Sequence, residues 1–286
     1  MSQSAIVPWI KPSDQGQNQQ MSTHSRFLRA EAAAGLPPGP ALNEQVSDGD
    51  LSHLPSPVQR YLGFMGVAGR PPDWSFRARF HGRFRLRPAQ RWMRYDAWQY
   101  NCATPVSRIS HMRISWAGIV PMLGTDTYLR GRGRMQGKLL NAVTVANGQG
   151  PEFDVGELAT YLNDAILVAP SMLLGPATSW AEVDDRCFDV TLSDSGLTAT
   201  ARVWLDERGA PSDFSTTDRF AALPGGPVQA RWTTPVAGWE FFGDRPLPTG
   251  GSAIWHLSEG PFVYAEGRFV PDSIEYNVAP GESERR

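Results

Sequence analysis

The chain has 286 residues, 27 basic against 29 acidic side chains, a formal net charge of −2 and a pI near 6.2. That balance argues against a duplex-binding domain, so no nucleic-acid partner is expected. The lack of any window near roughly 18 uninterrupted apolar residues argues against a membrane-spanning helix.

The length fits one large all-β domain or two small ones. With 41% hydrophobic residues, 28 Gly and 24 Pro, the composition points to a real core made of short strands and many turns. The only lysines are Lys11 and Lys138, so nearly all cations are arginines. Cys102 and Cys187 stand in no CxxC pattern; they could form one disulfide, but the plainer reading is two free, buried thiols of a reducing compartment. The N-terminus lacks a basic segment, and its apolar patch at 5–10 is short and holds Pro8; a cytoplasmic location is therefore expected.

Residues 1–20 end in DQGQNQQ and read as a disordered arm. Residues 22–34 suit a short helix closed by Gly35, interrupted by LPPGP. A second helix is expected over 57–65, with Ser56 as N-cap, Pro57 at the first helical position, and Val58, Tyr61, Leu62 and Met65 on one face. Gly66 closes it.

From residue 75 the period becomes two. Phe76, Ala78, Phe80, Gly82, Phe84 and Leu86 alternate with Arg77, Arg79, His81, Arg83, Arg85 and Arg87. This is an amphipathic strand with one apolar and one cationic face. The cationic face could hold an anionic head group or be a solvated face with carboxylates opposite it. Further strands follow up to NAVTVANGQG, with Gly131, Gly133 and Gly137 marking a bulge or bend. Gly131-Arg-Gly-Arg lacks the later glycine of a dinucleotide fingerprint and reads as a twist point.

A long helix is expected over 155–170, with Asp154 as N-cap, Glu157 completing a capping box, and Pro170 at its end. Strands then resume, with a turn at Asp194–Gly196, to a final IEYN. The resulting domain reading is an arm over 1–54, one β-rich domain over 55–278, and a tail over 279–286. The fold class expected is mainly β (α+β): a curved antiparallel sheet or half-barrel with packed helices.

The five histidines form no HxH or HExxH pair, GxSxG is absent, and neither a metal nor a cofactor is expected. Glu157 and Tyr161, at i and i+4, share a helix face. With Tyr161 or His111, Glu157 is the candidate acid/base residue, although the plainer reading of Glu157 is as the helix cap. Trp98, Tyr100, Tyr128, Arg134, Tyr161 and Trp255 are the candidate walls of a concave ligand site. Trp255 and His256 occupy opposite faces of one strand, so only one can point inward.

The blocks LPSPVQRYLGFMGVAGRP, GTDTYLRGRGRM, EFDVGELATYLND, APSMLL and AIWHLSEGPFVYAEG resemble an uncharacterised bacterial domain family over roughly 54–278. More distantly, the strand–helix–strand layout and the hairpin FFGDRPLPTGGSAIW resemble the lipoprotein-carrier half-barrel fold. That resemblance implies a curved sheet closed by helices around an apolar cavity. The functional expectation is binding of an apolar or amphiphilic small molecule. The alternatives are an enzyme acting through Glu157 and an interaction module with a filled core.

Overall fold

The period-two alternation at residue 75 becomes the first strand of one large sheet. In the computed structural model, which describes residues 22–41, 44–116, 120–139, 143–223 and 226–281, six strands follow one another as antiparallel neighbours. They are β1 (Ser75–Phe84), β2 (Met93–Ala103), β3 (Val106–Trp116), β4 (Val120–Leu129), β5 (Arg132–Leu139) and β6 (Val143–Gln149). The arm over 1–20 and residues 282–286 of the expected tail lie outside the described residues.

Preceding these strands are three helices: α1 (Thr23–Ala33), α2 (Asp48–Leu51) and α3 (Ser56–Phe64). The long helix α4 (Pro151–Val168) separates the first strand run from the second. The second run holds β7 (Thr178–Asp184), β8 (Cys187–Asp194), β9 (Leu197–Leu205), β10 (Pro211–Thr216), β11 (Phe220–Leu223), β12 (Gly226–Gln229), β13 (Arg231–Thr233), β14 (Val236–Phe242), β15 (Arg245–Leu257), β16 (Gly260–Phe269) and β17 (Glu275–Tyr276).

The sheet order is β6-β5-β4-β3-β2-β1-β16-β15-β13-β10-β9-β8-β7, so β1 and β16 join the two runs. It is not closed into a barrel, but it curls strongly. Helix α4 contacts β5 near one end of that order and β9 near the other. The Tyr128 hydroxyl on β4 donates to Asp194 Oδ2, at the end of β8, at 2.7 Å. The two wings therefore meet at one end, with α4 enclosed between them.

Strand register decides which face is which. Phe76, Ala78 and Phe80 oppose Asn101, Gln99 and Ala97 on β2, and those lead on to Arg108, Ser110 and Met112 on β3. These point to the concave side. The main core lies there, with Phe76, Leu158, Leu162, Ile166, Phe188, Val203 and Phe214 fully buried. The other face of β2 and β3 is covered by α1: Phe27 packs with Trp74, Tyr100, Cys102 and Ile109.

The cationic face of β1 is matched by carboxylates. Arg77 is buried under α1 and pairs with Glu31 at 2.6 Å and Glu275 at 3.0 Å. Arg79 pairs with Asp96, and Arg83 with Glu266. Arg77, Arg79 and Arg83 thus each have a carboxylate partner, whereas Arg85 donates to the Val263 and Pro88 carbonyls.

Helix starts differ from expectation in two places. Helix α3 begins one residue early, with Pro55 rather than Ser56 at the N-cap and no side-chain cap. Helix α4 begins at Pro151 after Gly150, so Asp154 lies inside its first turns and is not its cap. Its carboxylate instead accepts from the Gly133 amide at 2.7 Å and pairs with Arg132 at 3.0 Å. The helix stops at Val168, two residues before Pro170, which opens a short 3-10 turn.

Gly133 shows why that approach is possible. A Cβ there would stand 2.0 Å from the Phe153 carbonyl oxygen. Only glycine lets the first turn of α4 come down onto β5. Cys102 and Cys187 are both buried and free.

Candidate functional site

Helix α4 crosses the sheet near the ends where β2 stops and β3 and β5 start. There its polar stripe meets the strands. Arg108 on β3, buried at 7% exposure, is the hub. Its Nε donates to Asp164 Oδ2 at 2.8 Å, one terminal nitrogen to Glu157 Oε2 at 3.1 Å, and the other to Gln99 Oε1 at 3.4 Å. Gln99 in turn donates to Asp164 at 2.7 Å and to Asn101 at 2.9 Å.

Two more charges complete the group. Arg219, at the base of the β11–β12 hairpin, stands 3.9 Å from Glu157 Oε1. Its guanidinium lies over the Trp232 ring at 4.2 Å and the Trp255 ring at 5.4 Å. Asp126 on β4 sits opposite Ser110 and Met135, half-buried on the concave side.

Electrostatics follow from that census. Glu157 is 3% exposed, and burial, reinforced by the neighbouring Asp126 charge, pushes its pKa up to about 7 against the pull of Arg108 and Arg219. Asp126 is raised by the same burial, which outweighs both arginines. Burial opposes the charge on Arg108, but Asp164, Glu157 and Asp126 outweigh it and hold the guanidinium firmly protonated. The pair Asp126 and Glu157 can therefore hold or release a proton near neutral pH.

Beyond α4 the concave face continues with no helix over it among the described residues. Phe80, Phe84, Tyr95, Met112, Tyr264 and Phe269 are half-buried there. Met93, Ile114 and Met122 pack beneath them. Tyr95 lies across Gly82 and Gly267: a Cβ on Gly267 would fall 2.2 Å from its hydroxyl. These side chains give the concave face an aromatic- and methionine-rich strip, here the trough, on the same side of the sheet as Asp126, Glu157 and Arg219.

The expected wall residues divide between the two faces. Tyr128, Tyr161 and Trp255 are on the concave side, all buried. Tyr128 is engaged with Asp194, and the Tyr161 hydroxyl is buried with no hydrogen-bond partner among the described residues. Trp255 stacks on Tyr264 and beside Trp232. Trp98, Tyr100 and Arg134 do not join them. Trp98 and Tyr100 are on the convex side beside α1, and Arg134 is exposed on that same outer face.

His111 also opposes Trp98 on the convex side, where it meets Phe27 edge-on. It cannot pair with Glu157, because a strand sends alternate side chains to opposite faces. Glu157 does not cap α4; it faces Arg108. His256 points away from Trp255 and bonds to Arg231 and Thr233. Arg108, Asp126, Asp164 and Arg219 were not singled out by sequence. Asp164 was recoverable, since it continues the Glu157–Tyr161 stripe three residues on. Of the other three, Arg108 and Asp126 come from the adjacent strands β3 and β4, and Arg219 from the residue before β11, about ninety positions on.

A separate cleft of about 620 Å³ lies between residues 44–55 and 174–180, lined by Glu44, Asp50, His53, Leu54 and Trp180. Among the described residues no group of His, Cys, Asp or Glu could hold a metal ion. No described helix is long and apolar enough to cross a membrane.

Among curated proteins none matches significantly. Among solved structures, the fold is similar to a domain from Vibrio parahaemolyticus described as an outer membrane lipoprotein-sorting protein. Identity is 12%, the TM-score is 0.40, and 73% of this chain and 87% of that one are covered. It is also similar to a LolA superfamily protein from Nitrosomonas europaea, at 12% identity and TM-score 0.41 over 77% and 91% of the two chains. Both are likenesses of architecture at low identity. The model of a family of unknown function, DUF6544, matches residues 44–267, and the chain belongs to that family.

Proposed function

We propose that the protein binds an amphiphilic small molecule on the half of the concave face that α4 leaves uncovered. One observation carries this reading: Phe80, Phe84, Met112, Tyr264 and Phe269 stay half-buried on a concave surface that also carries a buried charged group. Contiguous apolar surface of that kind marks a binding site more often than a free face. The tail would lie along the trough and the head would meet Asp126, Glu157 and Arg219.

Ala265 tests it. It opposes Phe84 and Ala253 on the trough floor and is half-buried. Ala265→Trp should fill the trough and weaken displacement of a fluorescent lipophile by about tenfold or more, with a melting temperature within a few degrees of wild type. Equal affinity in wild type and variant, or no binding to either, counts against the reading.

A second reading is supported by Glu157 alone. A buried carboxyl titrating near neutrality suits proton transfer to or from a bound substrate. Glu157→Gln abolishing a turnover while a bound lipophile keeps its affinity would favour it.

A further inference from the structure

The chemistry of the head group follows from charge balance, and the inference rests on the binding reading above. Three carboxylates, Asp126, Glu157 and Asp164, face two guanidiniums, Arg108 and Arg219. The Tyr264 phenol, bonded by Arg219 at 3.4 Å, is the remaining titratable group facing them from β16. With every carboxylate ionised, the group is one positive charge short. Uncompensated charge in a poorly solvated site is costly, so something supplies the missing cation.

Position shows where that cation enters. Asp126 accepts no hydrogen bond and has no ion pair within 4.0 Å among the described residues, although it faces the trough. Glu157 Oε1 has only Arg219, at 3.9 Å. The Trp255 ring is stacked on Tyr264 at 6.1 Å and lies under the Arg219 guanidinium at 5.4 Å, so the indole already has its cation and Asp126 is the carboxylate left without one. An anionic head would add a further negative charge to this group.

We propose that the trough takes a cationic amphiphile, an alkyl ammonium or quaternary amine, in exchange for a proton. No covalent bond to the ligand forms. The carboxyl O–H of the Asp126–Glu157 pair breaks, its proton passes to the buffer, and the ammonium takes over as counterion.

The test is calorimetry at about pH 6 in phosphate and in a buffer of high ionisation enthalpy. Dodecyltrimethylammonium, dodecanoate and dodecanol are titrated below their aggregation limits. The expected result is ammonium binding about tenfold tighter than either equal-length probe, with about one proton released per ligand. Asp126→Asn should weaken ammonium about tenfold, well beyond its effect on dodecanol, and suppress the release. Dodecanoate binding as tightly, or ammonium binding without buffer dependence in wild type, overturns the cation assignment while leaving the trough as a site. Failure of all three probes to bind overturns both.

Discussion

Glu157 and His111 titrate in opposite senses, and each sign follows from burial. Glu157 is raised from 4.5 to about 7, so the folded chain binds that proton more tightly than the unfolded one. Its stabilisation is present below pH 4.5 and lost as pH rises toward 7, a fall of about 3 kcal/mol. His111 is lowered from 6.5 to about 4, by burial and then by Arg26, so its neutral form is the folded one. Below pH 6.5 the unfolded chain takes the proton, and stability drops by about 3 kcal/mol as pH falls toward 4. The two slopes oppose each other between pH 4.5 and 6.5. Denaturant titrations across pH 4–8 should show His111→Gln losing stability with rising pH more steeply than wild type. Glu157→Gln combined with Asp126→Asn should show the reverse, because the proton belongs to the carboxyl pair. Parallel curves for all three proteins would remove both assignments.

At the scale of elements, α4 is the piece on which the site depends. It supplies Glu157, Tyr161 and Asp164 from one face, and its height above the sheet is set by Gly133. Gly133→Ala brings a methyl to 2.0 Å from the Phe153 carbonyl. The backbone must shift, at a cost of about 1–3 kcal/mol, and the Arg132–Asp154 contact goes with it. A drop in melting temperature accompanied by altered trough affinity is the expected outcome; an unchanged affinity would detach the seating of α4 from the site. Helix α1 is an element of a different kind. Its Phe27 and Glu31, at i and i+4, are both fully buried, one on Ile109 and Tyr100, the other on Arg77. It shields the convex face and takes no part in the trough.

At the scale of the whole molecule, curling is held by contacts between wings distant in sheet order. Tyr128 donating to Asp194 is one that spans them directly. Tyr128→Phe should cost about 1.5–3 kcal/mol, the range for a bond to a charged acceptor. If the wings also set the width of the trough, affinity for a lipophile falls with it, and hydrogen exchange in β8–β9 rises. Loss of stability without either change would confine Tyr128 to a local role.

Legibility divided along the same lines. Period two in 75–87 identified β1 and its apolar face, and the turn at Asp194–Gly196 was readable because Ser195 and Gly196 need positive φ. The hydrophobic stripe of α4 was readable too, but its start was not. Asp154 and Glu157 have the spacing of a capping box, and tertiary partners, the Gly133 amide and Arg108, took both carboxylates instead. Alternation tells which residues share a face within one strand, so Trp98 and Tyr100 were read as sharing one. It does not tell which face is concave.

The chain's own pattern thus determined a mainly β fold, a mid-chain helix and an arginine-rich strand face, since these follow from local periodicity and turn chemistry. Only the tertiary structure decided that Arg108, Asp126, Glu157, Asp164 and Arg219 would converge. Their meeting depends on sheet register and curl, which are set by long-range pairing between β1 and β16 and by the descent of α4 onto β5. No local sequence signal encodes either.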